Sequence, residues 1–207
     1  MQLRSDSFES GQRIPVRLAF GKLGAPVAWS DNFSPHLAWR NAPEGTRSFV
    51  ITCIDPDVPS KPDDVNQQGR TVSATLPRVE FVHWLMANVP EECGELAEGA
   101  CSDEVTPRGK RSPPGPPGSV QGQNDFTGWF AGDEDMKGSY LGYDGPCPPW
   151  NDALLHHYHF RVQALDVAQL PLTEGFSLAE LRTAMDGHVL AAAELVGTYS
   201  LNPDGSV

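Results

Sequence analysis

Two aspartates and two histidines stand where a folded chain could bring them together. Asp55 and Asp57 flank Pro56 directly after an apolar run. His83 interrupts a second apolar run, and His156 opens the HHYH stretch that follows the turn GYDGPCPP, Gly142 to Pro149. Strand ends and Gly/Pro turns are places where polar side chains can project into a shared cleft. The chemistry such a set supports is anion binding, which needs convergent N–H donors from imidazolium groups and from free amides of a Gly-containing turn. A carboxylate beside an imidazole favours its charged form and raises its pKa. Asp55 and Asp57 therefore read as orienters and charge partners of His83 and His156. Tyr158 can add a hydroxyl, and Pro148 and Pro149 a rigid apolar wall. Taken singly, each feature has a plainer explanation. Asp-Pro-Asp is a common turn device, and a histidine in an apolar strand is commonly a hydrogen-bonded core residue.

Other chemistries draw less from the same residues. Two Asp and two His, or His157 and His159 on one strand face, could ligate a divalent ion, so a metal-dependent hydrolase is the alternative function. No HExxH or paired-cysteine pattern accompanies them, and no GxSxG elbow supplies a nucleophile. The acidic run Asp133, Glu134, Asp135 lacks EF-hand spacing. Fifteen Lys and Arg against 27 Asp and Glu leave a net charge of −12, which argues against nucleic acid as a partner.

The elements that must position these side chains are strands. Ser48 to Ile54 is β-branched and apolar on both faces, as a buried central strand should be, and it stops at DPDVPS. Val79 to Val89 is a second buried strand, ended by Pro90. Tyr158 to Val167 alternates, with Tyr158, Phe160, Val162 and Ala164 on one face, and reads as half-buried. Ser177 and Glu180 form a capping box for a helix over 178–191, followed by a last strand from Glu194 to Leu201. Nineteen Pro and 20 Gly predict many turns and few long helices. The Gly/Pro-rich region 102–151 carries Phe126, Trp129, Phe130, Tyr140, Tyr143 and Trp150, so it reads as packed loops and not as a linker, with 107–121 expected to be mobile. The expectation is one mostly β domain over 1–207, a two-sheet antiparallel sandwich with one C-terminal helix and a 202–207 tail. MQLRSDSFESG holds no apolar run for a secretory signal, and no stretch approaches a membrane span. With four cysteines in no ligand-like spacing, the protein reads as cytoplasmic with reduced thiols.

In combination these segments resemble the phosphatidylethanolamine-binding protein family, which includes the Raf kinase inhibitor-like proteins and their bacterial relatives. SDSFESGQRIP (Ser5 to Pro15) is similar to the family's opening strand and turn. Asn32 to Ser60 carries SP-x-L-x-W, P-x-GT-x-SF and DPD-x-P in order. His83-Trp84 with Asn88, and then GYDGPCPP with HHYHF, resemble its two pocket segments. The resemblance implies two antiparallel sheets and a small cavity for phosphate-like anions or a phospholipid head group. It implies a pocket of Asp55, Asp57, His83, Gly145, Pro148, Pro149, His156 and Tyr158, and no cofactor, metal or catalytic residue. It also admits a protein partner, such as a kinase or other signalling protein, and a homodimer. Departures lie at the rim. Phe81 stands where many members have Trp, Trp150-Asn151 replaces a common Lys-Gly, and the Arg70-containing segment after DPDVPS is long.

Overall fold

The computed structural model describes residues 1–203; the end of the 202–207 tail lies outside the described residues. Along the chain run β1 (Gln2–Arg4), β2 (Gly21–Leu23), β3 (Val27–Trp29), β4 (Leu37–Arg40), β5 (Ser48–Pro59) and β6 (Arg78–Pro90). After them come β7 (Glu95–Leu96), β8 (Gly109–Lys110), β9 (Val120–Gln121), α1 (Phe126–Trp129), β10 (Ser139–Tyr140), β11 (His156–Leu165), α2 (Leu178–Met185) and β12 (Val189–Tyr199). The order β12-β11-β5-β6-β9 makes one antiparallel sheet, and β1-β4-β7 makes a second. This is the two-sheet arrangement expected from the sequence. Two short pairs decorate it, β2 with β3 antiparallel and β8 with β10 parallel.

The continuous apolar run of β5 is explained by burial on both faces. Phe49, Ile51 and Cys53 join the cluster between the sheets with Leu37, Trp39, Trp84 and Phe160. Val50 faces the other way, into a second cluster with Val82, Leu85, Leu181 and Met185 beneath α2. Strand β11 begins at His156, two residues earlier than its alternation suggested, and buries Tyr158, Phe160, Val162 and Ala164 on its inner face. A third cluster, of Phe20, Phe126, Phe130 and Tyr140, packs the aromatic residues of the 102–151 region onto the sandwich. Within that region β8 pairs with β10, and β9 with Met86 and Ala87 of β6.

The C-terminal boundaries differ from expectation. The Ser177–Glu180 capping box forms, but α2 ends at Met185, and the strand expected from Glu194 already begins at Val189. Gly187 takes φ 78°, a left-handed turn that stops the helix. Ala191, Ala192 and Ala193 favour helix, yet they pair with Ala164, Gln163 and Val162 of β11. Tertiary pairing outweighs a propensity worth only tenths of a kcal/mol per residue, roughly.

Candidate ligand-binding site

Where β5, β6 and β11 lie side by side, the chain encloses a cavity of about 190 Å³. Asp55 reaches it from β5, His83 from β6 and Tyr158 from β11, while Pro148 and Pro149 close one side from the GYDGPCPP turn. The rest of the lining is apolar: Val58, Pro59, Pro62, Val65, Phe81, Phe126, Trp129 and Cys147. No Lys or Arg lines it.

His83 is held in one tautomer. Its Nδ1 lies 2.7 Å from the backbone oxygen of Asp144. A carbonyl only accepts, so Nδ1 carries the hydrogen and Nε2 keeps the lone pair. Asp144 N donates back to the His83 carbonyl at 3.0 Å. The Asp144 carboxylate is itself tied by Asn32, Asn124 and Lys110, so the turn is rigid where it meets the histidine. Phe81, Phe126 and Tyr158 surround the ring at centroid distances of 5.0, 5.5 and 5.1 Å. Burial in this cage lowers the His83 pKa, and the nearby charges of Asp55, Asp125 and Asp144 fail to restore it. The expectation that carboxylates raise the pKa of both histidines fails here: desolvation wins, and His83 rests neutral.

At His156 the balance is reversed. Nδ1 lies 2.6 Å from Asp55 Oδ2, and Nε2 lies 3.1 Å from Asp152 Oδ2. Burial opposes the charge, but hydrogen bonds and charges from Asp152 and Asp55 outweigh it and raise the pKa to about 9. Arg78 completes the row with a bidentate contact to Asp152, at 2.5 and 3.0 Å. Two cations thus alternate with two carboxylates, and the charge of Asp55 is compensated on the side away from the cavity. His156 is fully buried outside the cavity lining, with both nitrogens engaged by carboxylates, and it holds Asp55 in place.

Two other candidates also stand apart from the cavity lining. Asp57 accepts from His157 N at 2.9 Å and contacts His157 Nδ1 at 2.8 Å, pairing with that histidine and not with His83 or His156. Gly145 donates its N–H to Asn32 Oδ1 at 2.8 Å, and a Cβ there would meet Leu18 O at 2.0 Å. Its role is close packing. Asp55, His83, Pro148, Pro149 and Tyr158 do converge. Asp152, Arg78 and Asp144 were not singled out from the sequence, because each acts through a partner that only the fold supplies.

Tyr158 is the unusual member. It is fully buried, and its hydroxyl has no hydrogen-bond partner among the described residues. Burial raises its pKa well above the usual range, and nearby Asp55 raises it further through its charge and its closeness to the hydroxyl. The group is a neutral phenol with an unused donor.

Among the described residues no three His, Cys, Asp or Glu side chains are grouped to hold an ion. All four cysteines are free, and burial pushes the Cys147 thiol up to about 12, so it is no nucleophile at neutral pH.

The strands of a two-layer antiparallel sandwich thus bring an acid, a histidine and a tyrosine to a small, largely apolar cavity. The sequence pattern of the phosphatidylethanolamine-binding protein family matches residues 4–200, and the chain belongs to that family. It is 32% identical to the UPF0098 protein YbhB of Escherichia coli over 200 residues, covering 97% of this chain and 100% of that one. It is 33% identical to a UPF0098 protein of Methanothermobacter thermautotrophicus, covering 96% and 98%. Among solved structures, Escherichia coli YbcL, described as a new member of the mammalian PEBP family, superposes with a TM-score of 0.70 at 29% identity, over 96% of this chain and 97% of that one. A phosphatidylethanolamine-binding protein homologue from Chlamydia trachomatis, CT736, gives 0.65 at 30% identity over 96% of each chain. No helix among the described residues is long and apolar enough to cross a membrane.

Proposed function

We propose that this protein is a binding protein and not an enzyme, and that its cavity takes a small phosphoryl-type anion such as a phosphorylated head group. The observation that carries the reading is a pair of polar groups without protein partners in this largely apolar cavity. Tyr158 Oη is buried without a partner among the described residues, and His83 makes its one side-chain hydrogen bond through Nδ1, which leaves Nε2 without a partner among them. An unmet buried hydroxyl costs about 1–3 kcal/mol, so it persists where a ligand supplies the missing bond. An anionic oxygen accepts from Tyr158 Oη directly. To accept from His83 it needs a proton on Nε2, so binding draws one onto a ring that is otherwise neutral. The row Asp55, His156, Asp152 and Arg78 removes the repulsion that an uncompensated Asp55 would exert. A volume of about 190 Å³ lies below the roughly 300–1,000 Å³ of drug-sized sites and suits a head group. The family name carried by relatives of this fold supports the same chemistry. Dimethyl phosphate, permanently singly charged, is the direct probe. Calorimetric titration should show saturable binding to the wild type, and His83→Ala should weaken it by about 1.5–3 kcal/mol, the range for a charge-involving hydrogen bond. Heat that never saturates would overturn the reading.

A further inference from the structure

The long segment after β5 and the Trp150-Asn151 dipeptide, both departures from the family pattern, are partners in space. Residues 61–70 are exposed except for half-buried Val65, and Pro62 and Val65 supply one wall of the cavity. The ends of the segment are fixed. Ser60 N donates to Pro77 O, and Val72 exchanges backbone bonds with Asn151 and Ala153 at 3.0 Å each. Between these ends, the side chain that makes most of the bonds tying the segment to the body of the protein is Asn151, itself 5% exposed. Its Nδ2 donates to the carbonyls of Asp64, Gln67 and Arg70 at 2.8, 3.3 and 3.1 Å. Its Oδ1 accepts from Asn66 N at 2.9 Å, and Trp150 N returns a bond to Asn66 Oδ1 at 3.0 Å. Asn66 sits at φ 57°, a left-handed conformation that Asn tolerates and that turns the segment back onto this clamp.

We propose that Asn151 is a specificity-determining residue: it latches residues 61–70 as a removable wall, and the latched wall sets the upper size of ligand the cavity accepts. Asn151 makes four of the bonds that hold this wall, Asn66 adds one, and outside the cavity-facing Pro62 and Val65 the segment is exposed. Releasing Asn151 leaves carbonyls that water can satisfy, so the wall can open without unfolding the sandwich. The inference rests on the phosphoryl reading of the same cavity.

The test uses the full chain as wild type and Asn151→Ala, with ethyl phosphate and hexyl phosphate as probes and amide hydrogen exchange as the independent readout. The wild type should bind ethyl phosphate at least tenfold more tightly than hexyl phosphate. Asn151→Ala should accelerate exchange at Asn66 and Trp150 at least tenfold and narrow the size preference at least fivefold. Its ethyl phosphate affinity should stay within about threefold of wild type. Asn151→Asp, which sets a carboxylate oxygen against the three carbonyl acceptors, should open the segment at least as far as Asn151→Ala. Unchanged exchange overturns the latch, and faster exchange with an unchanged size preference overturns the wall. A wild type that binds neither phosphate overturns the anion reading, and the size limit with it.

Discussion

His83 and His156 show how two buried histidines that both feel the charge of Asp55 reach opposite charge states. Both are buried, and burial alone would neutralise both. His156 has a carboxylate on each nitrogen, whereas His83 has one carbonyl and three aromatic rings. Hydrogen-bonded charge outweighs desolvation in one case and is missing in the other. The consequence for stability has a definite sign. The folded-state pKa of His156, about 9, lies above its unfolded value of about 6.5. Its contribution is therefore complete below pH 6.5 and disappears as pH rises through 9. Urea unfolding should show a loss on the order of 3 kcal/mol between those limits, and His156→Gln should flatten the profile. Tyr158 gives a second residue-level test, because its hydroxyl is unmet in the free protein. Tyr158→Phe should leave stability unchanged or raise it by about 1 kcal/mol, while weakening dimethyl phosphate binding. A variant losing both stability and affinity would show that the hydroxyl is a structural group. A variant losing neither would remove it from the site.

At the scale of elements, the turn after α2 decides where helix gives way to strand. Gly187 at φ 78° has no atom within 4 Å of a built Cβ, so Gly187→Ala meets no clash and reports the backbone alone. It should cost about 1–2 kcal/mol by denaturant midpoint, the penalty for an L-residue in the left-handed region, without lengthening the helix by circular dichroism. Strand β5 was legible because its apolar run and the DPDVPS stop are local signals. The boundary at Met185 was not, because an alanine-rich stretch suits a helix until β11 supplies a pairing edge. The site divides in the same way. His83 announced itself as a polar residue in an apolar strand, and Asp55 as a carboxylate at the end of one. Asp57 and His156 carry the same kind of signal, whereas Gly145 enters only through the family resemblance. Which of them faces the cavity depends on the loop 149–155 and on Arg78, which sequence adjacency does not reveal. Asn151 was visible as a departure from the family pattern, but its four partners in 64–70 exist only in the fold.

The whole molecule carries a net charge of −12, yet its candidate anion site depends on a single proton. The long-range field repels anions and is screened within about 8 Å at physiological ionic strength. Inside the cavity, Asp55 is compensated by His156 and no Lys or Arg lines the wall, so the charge that meets the ligand is the one His83 acquires. Asp55→Asn should shift the pH dependence of binding to more acid values, because the Asp55 charge supports protonation of His83. The most direct measurement is an NMR titration of the His83 ring nitrogens with and without saturating dimethyl phosphate. The free protein should show an Nδ1–H tautomer and a midpoint below 6.5. Ligand should move that midpoint upward by about one unit or more, each unit corresponding to about 1.4 kcal/mol of coupling. A free midpoint above 6.5, or one that saturating ligand leaves in place, would contradict this reading of His83.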